Sequence, residues 1–197
     1  MAFWLGLTGS IGMGKSTTAK MFAAEGCAVW DADAAVHRLY AEGGLAVGPM
    51  SEAFPEAVIA GAVSRERLKE MIGADPATLN DIEKIVHPLV AADRVNFAES
   101  AQSDIIVFDI PLLFEGGNEG KMDAVVVVTA DEETQRARVL ERGTMSETHF
   151  ETIKAKQMPD VEKRNLADYV VTTDTLESAE RQVKAIVKEI RAGLNNA

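Results

Sequence analysis

Residues 3–17 read Phe3-Trp4-Leu5-Gly6-Leu7-Thr8-Gly9-Ser10-Ile11-Gly12-Met13-Gly14-Lys15-Ser16-Thr17, and this stretch decides the fold. Its first half is a short apolar run closed by glycine, the pattern of a strand buried on both faces. From Gly9 to Ser16 it matches G-x-x-x-x-G-K-[ST], and the helical pattern that begins near Lys15 supplies the strand–loop–helix setting the motif requires. Glycines let the backbone fold back until successive N–H groups converge on phosphate oxygens, and the helix start adds the positive end of its dipole. Gly9, Ile11, Gly12, Met13, Gly14, Lys15, Ser16 and Thr17 are therefore the expected nucleotide-binding residues. Lys15 is expected to reach the β- and γ-phosphates, and the Ser16 hydroxyl to bind Mg²⁺.

Outward from the loop, Ile105–Asp109 and Ala124–Thr129 read as further buried strands, with weaker candidates at 27–31 and Tyr169–Thr172. Helical patterns at 15–25, 131–142, 146–156 and 176–191 separate them. This alternation predicts an α/β fold of the P-loop NTPase type: a five-stranded parallel sheet with helices on both faces. From about 41 to 100 the apolar residues recur at helical spacing and no convincing strand is present. The stretch reads as a helical insertion, with a helix starting at Asp75-Pro76 and a kink or restart at His87-Pro88. The expected layout is one domain: a core of about 1–40, 101–135 and 166–197, an insertion of about 41–100 and a small helical lid of about 136–165.

The chain has 197 residues, nearly half of them hydrophobic, and a net charge of −11. That charge speaks against broad binding to nucleic acid or anionic membranes, while a local cluster of amides and basic groups still suffices for a phosphate. No apolar run reaches bilayer length, and the early strand argues for folded structure rather than a signal segment at the start. Cys27, the single cysteine, excludes an internal disulfide and reads as a buried small hydrophobe suited to a reducing cytoplasm. His37, His87 and His149 stand at no metal-ligand spacing.

Asp31 and Asp33 close the second strand, where side chains line the ligand crevice of an open parallel sheet. One of them is a candidate base for an attacking hydroxyl, and a helix cap near Ala34 fits equally well. Asp109 ends the next strand, a position from which a carboxylate holds Mg²⁺ directly or through water. Gln135, Arg138 and Arg142 share one helix face. Two guanidiniums there suit a clamp on a moving phosphoryl group, though helix-surface arginines are commonly solvated or paired.

Taken in order, these elements resemble the dephospho-CoA kinase family over nearly the whole chain. The resemblance is carried by Asp31-Ala32-Asp33, Arg65 with Leu68, His87-Pro88 and Asp109-x-Pro111-Leu112-Leu113-Phe114-Glu115. It continues through Gln135-x-x-Arg138-x-x-x-Arg142, Gln157 and Ala167-Asp168. Thr173 departs from it, standing where asparagine is common. The resemblance implies transfer of the ATP γ-phosphoryl group to the ribose 3′-hydroxyl of dephospho-CoA, with Mg²⁺, in a cytoplasmic enzyme. It also implies Asp33 as base, Lys15, Arg138 and Arg142 as charge-stabilising groups, and Asp33, Arg65, His87, Asp109 and Leu112 on the acceptor side. Ser16 and Asp109 are the implied metal ligands, and a monomer is the expected state. Rival readings are a kinase for another small acceptor and a GTPase-like switch; no N-K-x-D-type stretch supports the latter.

Overall fold

The structure, a computed structural model, describes residues 2–143 and 145–196. Along the chain the elements are β1 (Phe3–Thr8), α1 (Lys15–Ala24), β2 (Ala28–Asp31), α2 (Ala32–Tyr40), α3 (Val47–Ala53), β3 (Val58–Ile59), β4 (Ala62–Val63), α4 (Arg65–Ala74) and α5 (Thr78–Ser100). They continue with β5 (Ile105–Asp109), β6 (Ala124–Thr129), α6 (Glu132–Glu141), α7 (Glu147–Lys156), α8 (Asp160–Leu166), β7 (Tyr169–Thr172) and α9 (Leu176–Leu194). They group into two compact units, Met1–Trp30 with Ala101–Ala197, and Asp31–Ser100.

In the first unit the sheet runs β2-β5-β1-β6-β7. β1 pairs in parallel with both β5 and β6, and β6 pairs in parallel with β7. The chain thus fills one side of β1 and then crosses to the other, which makes the carboxyl end of β1 a topological switch point. The phosphate loop leaves the sheet there.

Burial on both faces explains the unbroken apolar strands. In β6, Ala124, Val126 and Val128 join Leu5, Leu7, Phe22, Val183 and Ile186 on one side, while Val125 and Val127 join Leu113 and Phe114 on the other. Each buried valine contributes about 1.5–3 kcal/mol. α9 closes one face with Ala179, Val183, Ile186, Val187 and Ile190, a helical stripe turned to the core. Side-chain caps start α6, α7 and α9 at Asp131, Ser146 and Thr175.

Cys27 is buried in that core, where burial pushes its thiol up to about 11. Less than about a hundredth of it is thiolate at pH 8. The native protein should therefore resist alkylation by iodoacetamide at pH 8 and react fully in denaturant. Stoichiometric native labelling by mass spectrometry would contradict this burial.

The second unit has its own core, in which Leu39, Tyr40, Met50, Leu68, Ile82 and Val86 pack together. α2 supplies Leu39 and Tyr40, so this unit starts at Asp31 rather than near residue 41. Two expectations for the region are corrected. A β3–β4 hairpin is present, pairing Val58 with Val63 and Ile59 with Ala62. Ala60 and Gly61 both take positive φ, as the tight turn between antiparallel strands demands. Strands of this length leave no alternating pattern to read.

The second correction concerns Pro88, which lies inside an uninterrupted α5 of 23 residues instead of restarting it. Ile82, Ile85, Val86, Leu89 and Val90 form one apolar stripe across the proline, and their packing outweighs the lost backbone hydrogen bond. Pro76 stands just before α5, whose first residue is Thr78. Asp75 ends α4 and accepts a hydrogen bond from Ala77 N at 3.0 Å.

Candidate active site

The phosphate loop folds around two glycines in the left-handed region. Gly12 has φ 81° and Gly14, at the N-cap of α1, has φ 94°. A Cβ on Gly12 would lie 2.6 Å from Val139 Cγ2 and 2.9 Å from the Gln135 carbonyl oxygen. The position therefore demands glycine both for its backbone and for the close approach of α6.

Among the described residues the N–H groups of Gly12, Gly14, Lys15 and Ser16 have no hydrogen-bond partner. Together with the start of α1 they form a cluster of donors suited to an anion. Ile11 and Met13 are different. Ile11 N donates to Gln157 Oε1 at 3.1 Å, its carbonyl accepts from Gln135 Nε2 at 2.8 Å, and Met13 N donates to Ser10 O at 3.2 Å. Gly9 leaves no room for a side chain, because a Cβ would lie 2.6 Å from Val128 O. Ser16 and Thr17 are exposed on the first turn of α1.

Asp109 ends β5 almost completely buried, at 2% exposure, and forms an ion pair with Lys15. The parallel pairing of β1 with β5 brings these distant residues together, since Leu7 lies opposite Asp109. A lysine at the start of α1 and a carboxylate at the end of β5 thus share one edge of the sheet.

Arg138 reaches the loop after β7. Its Nη1 donates to Thr173 Oγ1 at 2.8 Å and its Nη2 to the Thr173 carbonyl at 2.6 Å. Thr173 Oγ1 lies 2.8 Å from the Met13 carbonyl. Arg138 and Arg142 line a cavity of about 440 Å³ with Gly14, Thr17, Thr173, Asp174 and Leu176. The cavity adjoins the free amides and offers both apolar wall and polar edge, as a nucleoside site needs. Gln135 shares the arginines' helix but is buried against the loop instead of lining this cavity.

The segment Gln157–Lys163 returns from α7 and is tied down along its length. Met158 N donates to Glu115 Oε1 at 2.9 Å, Thr129 Oγ1 donates to Asp160 Oδ2 at 2.9 Å, and the fully buried Lys163 ammonium lies 2.9 Å from Glu115 Oε1. Burial pushes the Glu115 carboxyl up, but Lys163 and the Met158 N–H outweigh it and hold it below the usual carboxylate range. Asp168 is structural: its carboxylate accepts from Val125 N at 2.8 Å and joins the start of β7 to β6. Leu112 is exposed in the turn after β5.

In the second unit Asp31 caps α2, accepting from Ala34 N at 2.8 Å. Asp33 stands in the first turn of α2 and is exposed. Of the two carboxylates, Asp31 is thus the helix cap, and Asp33 is free of that task. Arg65 opens α4 with its guanidinium 5.9 Å from the Tyr40 ring centre, and His87 is exposed on α5.

The clamp on Ile11 was not legible as a site. Gln135 and Gln157 lie far from the loop in sequence, and nothing local in either segment marks a glutamine that binds backbone. Nor did spacing signal the Lys163–Glu115 pair.

A glycine loop with free amides, opening from the central strand of a parallel sheet beside a nucleoside-sized cavity, places the molecule among the phosphate-loop kinases. The same fold occurs in shikimate kinase from Acinetobacter baumannii, with a TM-score of 0.52 at 15% identity, covering 98% of this chain and 95% of that one. Residues 3–178 match the model of the dephospho-CoA kinase family. The chain belongs to that family.

It is 63% identical to dephospho-CoA kinase of Ruegeria pomeroyi over 193 residues, 98% of each chain. It is 58% identical to that of Cereibacter sphaeroides over 189 residues, 96% of each. A Thermus thermophilus crystal structure superposes with a TM-score of 0.84 at 31% identity, covering 95% of this chain and 97% of that one.

Proposed function

We propose that this chain phosphorylates the ribose 3′-hydroxyl of dephospho-CoA with ATP. The observation that carries the proposal is the row of free N–H groups at Gly12, Gly14, Lys15 and Ser16, set at the start of α1 beside the cavity. These amides and the Lys15 ammonium hold the polyphosphate and meet the charge that spreads over the migrating group. The cavity lined by Arg138, Arg142, Thr173 and Leu176 takes the nucleoside, and the arginines add positive charge on the phosphate side.

Asp33 accepts the proton of the acceptor hydroxyl and orients its oxygen for in-line attack. Arg65, His87 and Leu112 serve the acceptor side. Membership of the dephospho-CoA kinase family supports an acceptor of this kind.

The exposed Ser16 hydroxyl and the Asp109 carboxylate are hard oxygen donors of the kind magnesium takes. They are the residues that hold the ion. When bound, magnesium supplies positive charge to the phosphate oxygens. We further propose that the enzyme works as a cytoplasmic monomer. Among the described residues no helix is long and apolar enough to cross a membrane.

The test is to incubate the protein with ATP, Mg²⁺ and dephospho-CoA, and to follow the product by ³¹P NMR. A new 3′-phosphomonoester, absent when nucleoside monophosphates replace the acceptor, is expected. Release of ADP stimulated equally by every acceptor would overturn the assignment.

A further inference from the structure

We propose that Gln135 and Gln157 are positioning residues of the phosphate loop, which hold the backbone of Ile11 from the two sides of α7 and so aim the loop's amides. Gln135 lies on α6 and Gln157 just past the end of α7, with all of α7 between them in sequence. Both meet at one residue: Gln135 Nε2 donates to the Ile11 carbonyl at 2.8 Å, and Ile11 N donates to Gln157 Oε1 at 3.1 Å. Which amide atom faces the loop is fixed by chemistry, because a carbonyl only accepts and a backbone N–H only donates.

The consequence follows from the planarity of the peptide group. In a trans peptide the C=O of one residue and the N–H of the next point in opposite directions. Gln135, by holding Ile11 C=O toward α6, turns Gly12 N–H to the other side. Gln157, by holding Ile11 N–H, turns Ser10 C=O away from itself, and that oxygen accepts Met13 N at 3.2 Å inside the loop. Thr173 repeats the device at the next open peptide: its hydroxyl lies 2.8 Å from Met13 C=O, which turns Gly14 N–H away from Thr173.

Of the four free amides, Gly12 and Gly14 are thus the two whose peptide carbonyls are held by side chains from outside the loop. Gln135 is 2% exposed, and glycine at position 12 lets α6 approach closely enough for its bond. The phosphate cradle is therefore set by side chains of α6 and of the return from α7, and not by the loop's own sequence alone.

This inference rests on ATP phosphates as the ligand of the loop. Its test uses glutamate at each position, because the two bonds run in opposite directions. Gln135→Glu replaces the donor with an acceptor that faces a carbonyl. Gln157→Glu keeps the acceptor, and Gln157→Leu removes it without adding charge.

Steady-state kinetics on the whole 197-residue chain should show KM for ATP raised about tenfold in Gln135→Glu and in Gln157→Leu, the loss expected for one hydrogen bond. Gln157→Glu should stay within about threefold of the parent, and KM for dephospho-CoA should hold in all of them. If both glutamate variants lose ATP affinity while Gln157→Leu does not, charge is responsible and the proposal is wrong. It is equally wrong if every variant lowers only kcat and thermal stability. A parent protein that shows no saturation by ATP would refute the underlying ligand as well.

Discussion

Asp33→Asn is expected to lower kcat by about 10²- to 10⁴-fold while KM for ATP changes by less than about threefold. The exchange keeps the shape of the side chain and removes only its charge and its capacity to take a proton. Asp33 is exposed in the first turn of α2, and the helix-capping task falls to Asp31, whose oxygen lies 2.8 Å from Ala34 N. Loss of the Asp33 charge therefore removes no cap. Asp31→Asn is the matched control: asparagine caps as well as aspartate, so folding stability and turnover should both stay near the parent values. Near-normal turnover in Asp33→Asn would take the base role away from this residue, and an equal loss in Asp31→Asn would assign the pair no division of labour. Comparison of single-turnover and steady-state rates keeps a slow product-release step from masking the effect.

Lys15→Met should lower kcat/KM for ATP by about 10²- to 10³-fold, the scale for losing one charge-stabilising donor. It should also cost stability, because Lys15 is ion-paired with Asp109, which is 2% exposed. Breaking such a buried pair by removing one partner costs about 3–5 kcal/mol. The double variant Lys15→Met/Asp109→Asn separates the two effects. Thermal unfolding should recover much of the lost stability, since no uncompensated buried charge is left, while turnover stays low because the ammonium is still missing. Recovery of both would reduce Lys15 to a partner of Asp109. Recovery of neither would mean that an uncompensated Asp109 charge is not what destabilises Lys15→Met.

The ion pair shows how the site is divided between local and distant information. Lys15 was legible because the motif that contains it is contiguous, and a contiguous motif carries its own strand, turn and helix start. Asp109 was legible as the end of an apolar strand, but its partnership with Lys15 depends on β1 lying beside β5 in register, with Leu7 opposite Asp109. Nothing within either segment specifies that neighbour. Arg138 followed the same course. Helical spacing put it on one face with Gln135 and Arg142, yet the structure sends Gln135 into the back of the loop and both arginines to the cavity wall.

By itself the sequence determined the strands β1, β5 and β6, the phosphate loop and the helices that follow. Each is encoded by neighbours a few residues apart: an apolar run closed by glycine, a left-handed turn only glycine tolerates, a stripe at helical period. Tertiary structure alone decided which carboxylate of Asp31 and Asp33 caps α2, that α5 runs unbroken through Pro88, and that β3 and β4 pair. It also brought Gln135, Gln157 and Thr173 onto the loop and buried Lys163 against Glu115. The physical reason is common to all of these. Such contacts join groups that only the closed sheet and its packed helices bring within hydrogen-bonding range, and their energies depend on burial that no short segment possesses on its own.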